Sequence, residues 1–275
     1  MQPPSLPAGF AFSQSSLQDY IDCPRRFQLR FIERLQWPAV ESEPQLEFER
    51  RQLEGQLFHQ MIHQHLVGLP TAKLSQLAKT PTLSTWWENY MNAKDVQSLL
   101  TTGKPHPELT LSAPVGFFRL VAKFDLVITN PGGITFIIDW KTYHKRPRDE
   151  WMASRMQTRV YRSLLIQAGK YLNGGEPFLP EQVEMIYWFS EFPDSPAHFP
   201  YNTTQYKHDW ESLTSLTTEI SNHRHFPLTE DTKKCAFCTY RSYCSRGEKA
   251  GFADDLDGEE KQPEFDLEQI IEIEF

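Results

Sequence analysis

Pro131-Gly132-Gly133-Ile134-Thr135-Phe136-Ile137-Ile138-Asp139-Trp140-Lys141 is the stretch on which the fold turns. Pro-Gly-Gly predicts a turn, and the β-branched and aromatic residues after it predict a buried strand. Side chains alternate along a strand, so Asp139 and Lys141 project from one face. An acid and an amine at the end of an apolar strand are costly unless each has a partner or a ligand. The carboxylate suits a hard cation, and the ammonium suits a water or a phosphate oxygen beside it. Taken alone, the two residues are explained as well by a strand-end ion pair that reaches solvent.

Upstream, Leu109 to Val115 and Phe117 to Ile128 complete an antiparallel meander with Ile134 to Trp140. In the middle strand Leu120, Ala122, Phe124 and Leu126 alternate with Val121, Lys123, Asp125 and Val127. Asp125 is thus an acid among apolar residues, one strand away from Asp139. Two carboxylates in a partly buried site repel each other, and a divalent cation removes that conflict. Glu108, just before the first strand, is a candidate outer acid. Phe48 to Leu66 predicts a long helix with Leu53, Leu57, Met61 and Leu66 among its apolar positions, carrying His59, His63 and His65. His59 and His63 share a face at the spacing of helical zinc ligands. However, His-Gln-Met-Ile-His lacks the Glu that a zinc-protease helix needs as general base, so on their own these histidines read as polar-face residues.

The flanks add helices. Residues 1–12 are Pro-rich and read as loose; hydroxyls from Ser13 onward cap a helix with Leu17, Tyr20 and Ile21, and Pro24 opens a second with Phe27 and Phe31. Arg25, Arg26, Arg30 and Arg34 surround that stripe. Helical pieces are expected around Leu74–Ala78 and Trp86–Leu100. Asp149 to Ala168 reads as one helix with Gln157 and Tyr161 on one face, Val183 to Phe189 as a buried strand, and Thr203 to Ile220 as a helix.

The 275 residues, 39% hydrophobic and 23% charged, describe a soluble chain able to bury a core. No apolar run approaches a membrane span, and the start at Met1-Gln-Pro-Pro lacks a leader pattern, so the expected location is cytoplasmic, with no membrane partner. The net charge of −8 is uneven: residues 251–275 hold four Asp and six Glu against one Lys, leaving 27 basic and 26 acidic residues elsewhere. Charge therefore neither requires nor excludes a nucleic acid. The tail is expected to be a solvated extension, its end from Phe265 to Phe275 apolar enough to dock. Of the four cysteines, Cys235, Cys238 and Cys244 cluster at spacings that suit thiolate ligands, and Cys23 is the one left to complete the set. A four-cysteine site would hold zinc or an iron–sulfur cluster; unligated thiols are the alternative.

In this order the segments resemble the PD-(D/E)xK nuclease superfamily, specifically its RecB-like branch with an iron–sulfur cluster. That branch includes the AddB nuclease domain and the RecB-like exonucleases of CRISPR adaptation. Ser15-Ser16-Leu17 through Tyr20 and Cys23-Pro24-Arg25-Arg26-Phe27 resemble its opening segment, and Gly55-Gln56-Leu57-Phe58-His59 its histidine-bearing helix. Phe124-Asp125 resembles the first acidic motif, Asp139-Trp140-Lys141-Thr142 the Asp-Tyr-Lys-Thr signature, and Gln157-Thr158-Arg159-Val160-Tyr161 the Gln-x-x-x-Tyr motif. The family carries Gly two residues before its first acid, where this chain has Lys123.

The resemblance implies an α/β, restriction-endonuclease-like core: a mixed central sheet flanked by helices, with the N- and C-terminal segments joined by a metal cluster. Residues 1–250 would form this nuclease domain and 251–275 the acidic tail. It implies Mg2+ or Mn2+ held by Asp125, Asp139, His59 and the Trp140 carbonyl, Lys141 orienting the attacking water, and Gln157 and Tyr161 positioning the site. Cys23, Cys235, Cys238 and Cys244 would ligate a 4Fe-4S cluster, with zinc as the alternative occupant. The substrate would be DNA, single-stranded or with free ends, and relatives often work with a helicase. Two other readings remain: a module of this fold that binds DNA or a partner without cutting, and a zinc-stabilised scaffold in which Asp125 and Lys141 are incidental.

Overall fold

The computed structural model describes residues 6–35, 43–236 and 238–247; the acidic tail, and the expectation that its end docks, lie outside the described residues. The chain runs β1 (Ala11–Phe12), α1 (Gln14–Asp22), α2 (Pro24–Phe27), α3 (Glu43–Leu66), α4 (Thr71–Ser75), α5 (Pro81–Asn92) and α6 (Lys94–Thr102). It continues through β2 (Lys104–Val115), β3 (Phe118–Thr129), β4 (Thr135–Lys141), α7 (Asp149–Ser154), α8 (Met156–Ala168), β5 (Val183–Phe189), β6 (Ala197–Pro200) and α9 (Thr203–Asn222).

The six strands make one mixed sheet in the order β1-β3-β4-β5-β6, with β2 also on β3. Pairing is antiparallel for β2–β3, β3–β4 and β5–β6, and parallel for β1–β3 and β4–β5. Alternation along β4 and β5 divides the sheet between two apolar layers. Ile137, Met185, Tyr187 and Phe189 face α1, α2, α8 and α9, packing with Leu17, Phe27, Val160 and Leu213. Ile138, Trp140, Ile186 and Trp188 face α3 to α6, packing with Phe58, Met61, Trp86 and Tyr90. Each fully buried side chain of this size contributes about 1.5–3 kcal/mol from burial alone.

Several elements differ from expectation. β1 forms within the stretch read as loose, because Ala11 and Phe12 add to the edge of β3 opposite Arg119 and Leu120. β2 begins at Lys104 rather than Leu109, so Glu108 lies inside a strand; Pro105 and Pro107 are tolerated because β2 lies at the sheet's rim, paired to β3 alone. Residues 149–168 form two helices, since Arg155 adopts extended backbone between them. Ala93 likewise divides α5 from α6. β6 carried no usable signal: four residues with a proline form a strand only because β5 offers them an edge. In α3 the buried stripe is Phe58, Met61 and Ile62, while Leu53 is exposed; in α1 Ile21 faces solvent and Ser16 and Asp19 are buried instead.

The expected alternation of β3 changes phase at Asp125. Leu120, Ala122 and Phe124 join the α8 layer, but then Leu126 and Ile128 join the α3 layer and Val127 the α8 layer. The register shows why. Pairing with β2 steps from Leu109↔Phe124 to Pro107↔Leu126, passing over Glu108 and Asp125. Glu108 has φ +52°, a left-handed conformation uncommon for a non-glycine residue. One residue is passed over on each strand and the register continues unchanged beyond them, so the distortion is confined to the Glu108–Asp125 position.

Candidate active site

The site lies where the sheet forks. β2 occupies one edge of β3 along its whole length. On the other edge β4 pairs only with residues 126–128, and β1 only with 119 and 120. Between them residues 121–125 of β3 carry no ladder partner on that edge among the described residues. Tyr161 of α8 satisfies part of this opening: its hydroxyl donates to the Lys123 carbonyl at 2.7 Å, and its ring packs on Phe124 with centroids 4.6 Å apart. Burial, with Asp139 and Asp125 adding, holds the Tyr161 hydroxyl well above the ordinary tyrosine range, so it stays a donor.

Asp125 sits in the crotch of the fork. Its Oδ2 accepts the Trp140 N–H at 3.0 Å, in place of a strand-to-strand backbone bond, and stands 3.4 Å from His59 Nδ1. Burial pushes the Asp125 carboxyl up, but His59 and the Trp140 N–H outweigh it, so the net shift is downward. Burial likewise opposes a charge on His59, and Asp125 more than offsets it, raising the imidazole. α3 comes this close because Gly55, one turn before His59, faces Thr142: a Cβ there would lie 3.0 Å from Thr142 Oγ1.

Asp139 and Lys141 project from β4 toward α8 and are almost wholly buried, each side chain 2% exposed. Gln157 ties them together: its Nε2 donates to Asp139 Oδ1 at 2.7 Å, and its Oε1 accepts from Lys141 Nζ at 2.9 Å. Lys141 Nζ also lies 2.7 Å from Asp139 Oδ2, an ion-pair contact without hydrogen-bond alignment. Asp139 Oδ2 is therefore buried with no hydrogen bond. Burial pushes the Asp139 carboxyl up to about 6; the Lys141 ammonium opposes this and the Asp125 charge adds to it. Burial would lower Lys141, and Asp139 outweighs it and raises the ammonium.

Support for this trio comes from residues the sequence had shown only as core. Tyr187, the ladder partner of Asp139 on β5, presents its ring to Lys141 Nζ at 5.1 Å. Its hydroxyl meets Thr158 Oγ1 at 2.8 Å and reaches Gln157 Oε1 at 3.5 Å. The alternation of β5 sets Tyr187 apart from Trp188, but its register with Asp139 is a long-range fact that no local pattern carries. Trp140 turns its indole into the α3 layer, centroid 5.6 Å from Tyr90, leaving its backbone at the fork. His63 and His65 take no part in the trio; His65 Nδ1 meets the Tyr90 hydroxyl at 3.0 Å.

Near the start of α8, where Asp22 stands 3.9 Å from Arg155, the fold gathers the cysteines. Cys23 separates α1 from Pro24, Cys235 closes a short 3-10 turn, and Cys238 N–H donates to the Cys235 carbonyl at 3.1 Å. No disulfide joins any of the four. Burial pushes the Cys244 thiol up, with Cys238, Cys23 and Cys235 adding; burial also raises Cys235, with Cys23 adding. The Cys244 sulfur thus lies within electrostatic reach of the other three, and Cys235 within reach of Cys23. Around them Lys234 Nζ bridges to Asp22 at 2.8 Å, 212 residues away, and the Tyr240 hydroxyl donates to the Leu35 carbonyl at 2.8 Å.

Among the described residues no three His, Cys, Asp or Glu side chains stand at metal-holding geometry. The carboxylates meet protein donors instead. The donor chemistry nevertheless fits a cation at the fork, where Asp139 Oδ2 has no hydrogen bond and Asp125 and His59 stand alongside. Four thiols fit a soft metal centre at the clasp. No helix among the described residues is long and apolar enough to cross a membrane.

The structure of SSO0001 is 14% identical, covering 86% of this chain and 87% of its own, with a TM-score of 0.39. A protein from Eubacterium rectale with the provisional name of exonuclease is 7% identical, covering 80% of this chain and 85% of its own, with a TM-score of 0.50, a likeness of fold alone. No curated protein matches the sequence. Residues 11–245, from β1 to just beyond the last cysteine, match the family profile that spans the forked sheet, its acids and its lysine, and the chain belongs to the PD-(D/E)XK nuclease superfamily.

Proposed function

We propose that this chain is a Mg2+- or Mn2+-dependent deoxyribonuclease of the RecB-like branch, an exonuclease on single-stranded DNA or DNA ends. It would act in repair, recombination or processing of foreign DNA, beside a helicase. The observation that carries this reading is the meeting of Asp125, Asp139 and Lys141 at the fork, with Gln157 bonded to both members of the buried pair. Asp125, Asp139, His59 and, by the family resemblance, the Trp140 carbonyl would hold the cation. When bound, the cation supplies charge neutralisation at the phosphate and a water acidified for attack.

The chain's own residues supply the rest. Lys141, held by Gln157 and Asp139, would donate to the attacking water and to the charge growing on the phosphorane. Gln157 and Tyr187 keep the ammonium from turning away. His59 and the Trp140 N–H keep Asp125 ionised and aimed. Tyr161 fixes the backbone of β3 beside it. Cys23, Cys235, Cys238 and Cys244 would ligate a 4Fe-4S cluster that clasps the first helices to the C-terminal segment.

The test is digestion of end-labelled single-stranded DNA in Mn2+ by anaerobically purified protein, beside Lys141→Ala. We expect a ladder from the wild type and at least about a hundredfold slower cutting by the variant. Equal cutting by both would place the chemistry elsewhere, and cutting by neither would leave a binding module of the same fold. Iron and sulfide content of the same preparation tests the clasp; stoichiometric zinc without iron would replace the cluster by a zinc site.

A further inference from the structure

A second set of charged side chains adjoins the fork. Lys123 precedes Asp125 by two residues on β3, and its Nζ is ion-paired with Glu108. Glu108 belongs to β2 and is the residue at φ +52° passed over in the register together with Asp125. A left-handed non-glycine residue inside a strand costs about 1–3 kcal/mol and persists where its surroundings enforce it. Here that conformation accompanies a carboxylate drawn onto Lys123. His63, one turn beyond His59 on α3, completes the set: burial, with the Lys123 ammonium adding, holds its imidazole below the ordinary value.

The two sets run in parallel. His59 faces Asp125, and from that contact one turn along α3 to His63 and two residues along β3 to Lys123 each span about 6–7 Å. That step is comparable to the spacing of successive phosphates along one nucleic-acid strand. The inner set is acidic and nearly closed to solvent at Asp139. The outer set is reachable, with side-chain exposures of 32% for Lys123 and 25% for Glu108. The Lys123 backbone is anchored by its ladder to Thr110 and by the Tyr161 hydroxyl, and its side chain reaches the surface from there.

We propose that Lys123 binds the phosphodiester next to the scissile one, and that Glu108 holds the ammonium until substrate exchanges for it. The inference rests on the nuclease reading of the adjoining site and extends it to a substrate subsite. Glu108 and a phosphate oxygen compete for one ammonium, so the pair admits a nucleic-acid backbone and disfavours ligands without a phosphate to offer in exchange.

The test measures binding apart from cutting. A fluorescently labelled single-stranded oligodeoxynucleotide is titrated with the full chain in EDTA over a series of KCl concentrations. Lys123→Gln is expected to bind about fivefold more weakly and to lower the slope of log affinity against log salt by about 0.7, the loss of one phosphate contact on a single strand. Lys123→Arg is expected to keep the slope, and Glu108→Gln to bind about fivefold more tightly. Wild-type slope and affinity in Lys123→Gln would overturn the subsite, as would no measurable binding by the wild type. Weaker binding or a raised Mn2+ requirement in Glu108→Gln would overturn the exchange and make Glu108 a metal-site acid. Melting temperatures exclude misfolding. Cutting is scored separately: a wild type that does not cut, with a slope that still falls in Lys123→Gln, sinks the nuclease and leaves the subsite.

Discussion

Gly55 fixes how near α3 comes to the end of β4, and through that where His59 meets Asp125. Ala at this position gains about 1 kcal/mol of helix propensity yet brings a Cβ to 3.0 Å from Thr142 Oγ1. The two effects oppose each other in stability but not in geometry. We therefore expect Gly55→Ala to keep its melting temperature within a few degrees while losing about tenfold in rate, since small misplacements are amplified in catalysis. Adding Thr142→Ala removes the obstructing oxygen, and recovery of rate in the double variant is the check. Unchanged rate in Gly55→Ala would mean that His59 tolerates the shift. Asp139 shows why chemistry at this scale is not additive: Gln157, Lys141 and burial all act on one carboxylate, so single replacements report on the group.

The element that matters most is β3, and its unusual feature is that two strands share one edge and leave a gap. Tyr161 spans the gap with one hydroxyl. Tyr161→Phe keeps the ring on Phe124 and removes the donor to the Lys123 carbonyl, leaving a part-buried acceptor without it. The expected loss is about 1–2 kcal/mol in urea denaturation, with the midpoint shifted and the slope unchanged. A neutral result would show that water replaces the hydroxyl and that the opening is wetter than its burial suggests. The break between α7 and α8 serves the same region. It lets α8 start at Met156, whose N–H bonds Gln18 of α1 at 3.1 Å, so that Gln157 in its first turn points at the fork.

Across the whole molecule, the first helices are tied to the C-terminal segment by charge. Asp22, 7% exposed, receives Lys234 at 2.8 Å and Arg26 at 3.0 Å. Asp22→Ala leaves both cations without this acceptor, and about 2 kcal/mol of stability should go with it, read by chemical denaturation. A change near zero would assign the clasp to the cysteines alone. Global stability should also fall in acid. Burial lowers the pKa of His65, and burial with the Lys104 charge lowers that of His106. At these two positions the folded chain binds fewer protons than the unfolded one, so their contribution is present above the ordinary histidine value of about 6.5 and is lost as pH falls below it, while Asp139 and His59, both raised, act in the opposite sense. The slope of melting temperature against pH between about pH 5 and about pH 7.5 is expected to be less positive in His65→Gln than in the wild type. An unchanged slope in that variant would remove His65 from the account.

The sequence alone determined what local chemistry can write: the alternation and turn of residues 131–141, the strand Val183–Phe189 with both its ends, and the motifs of acids, lysine, histidine, glutamine and cysteines in family order. Composition and periodicity depend on each residue's own propensity and nearest neighbours, and these are printed in the chain. Only the tertiary structure decided that β4 leaves β3 at Asp125, that the alternation of β3 changes phase there, and that Glu108 lies within a strand against Lys123. It also decided that Tyr187 underlies Lys141. Each of these is a register between segments distant in sequence, set by which edges and apolar faces remain to be covered once the other elements have packed.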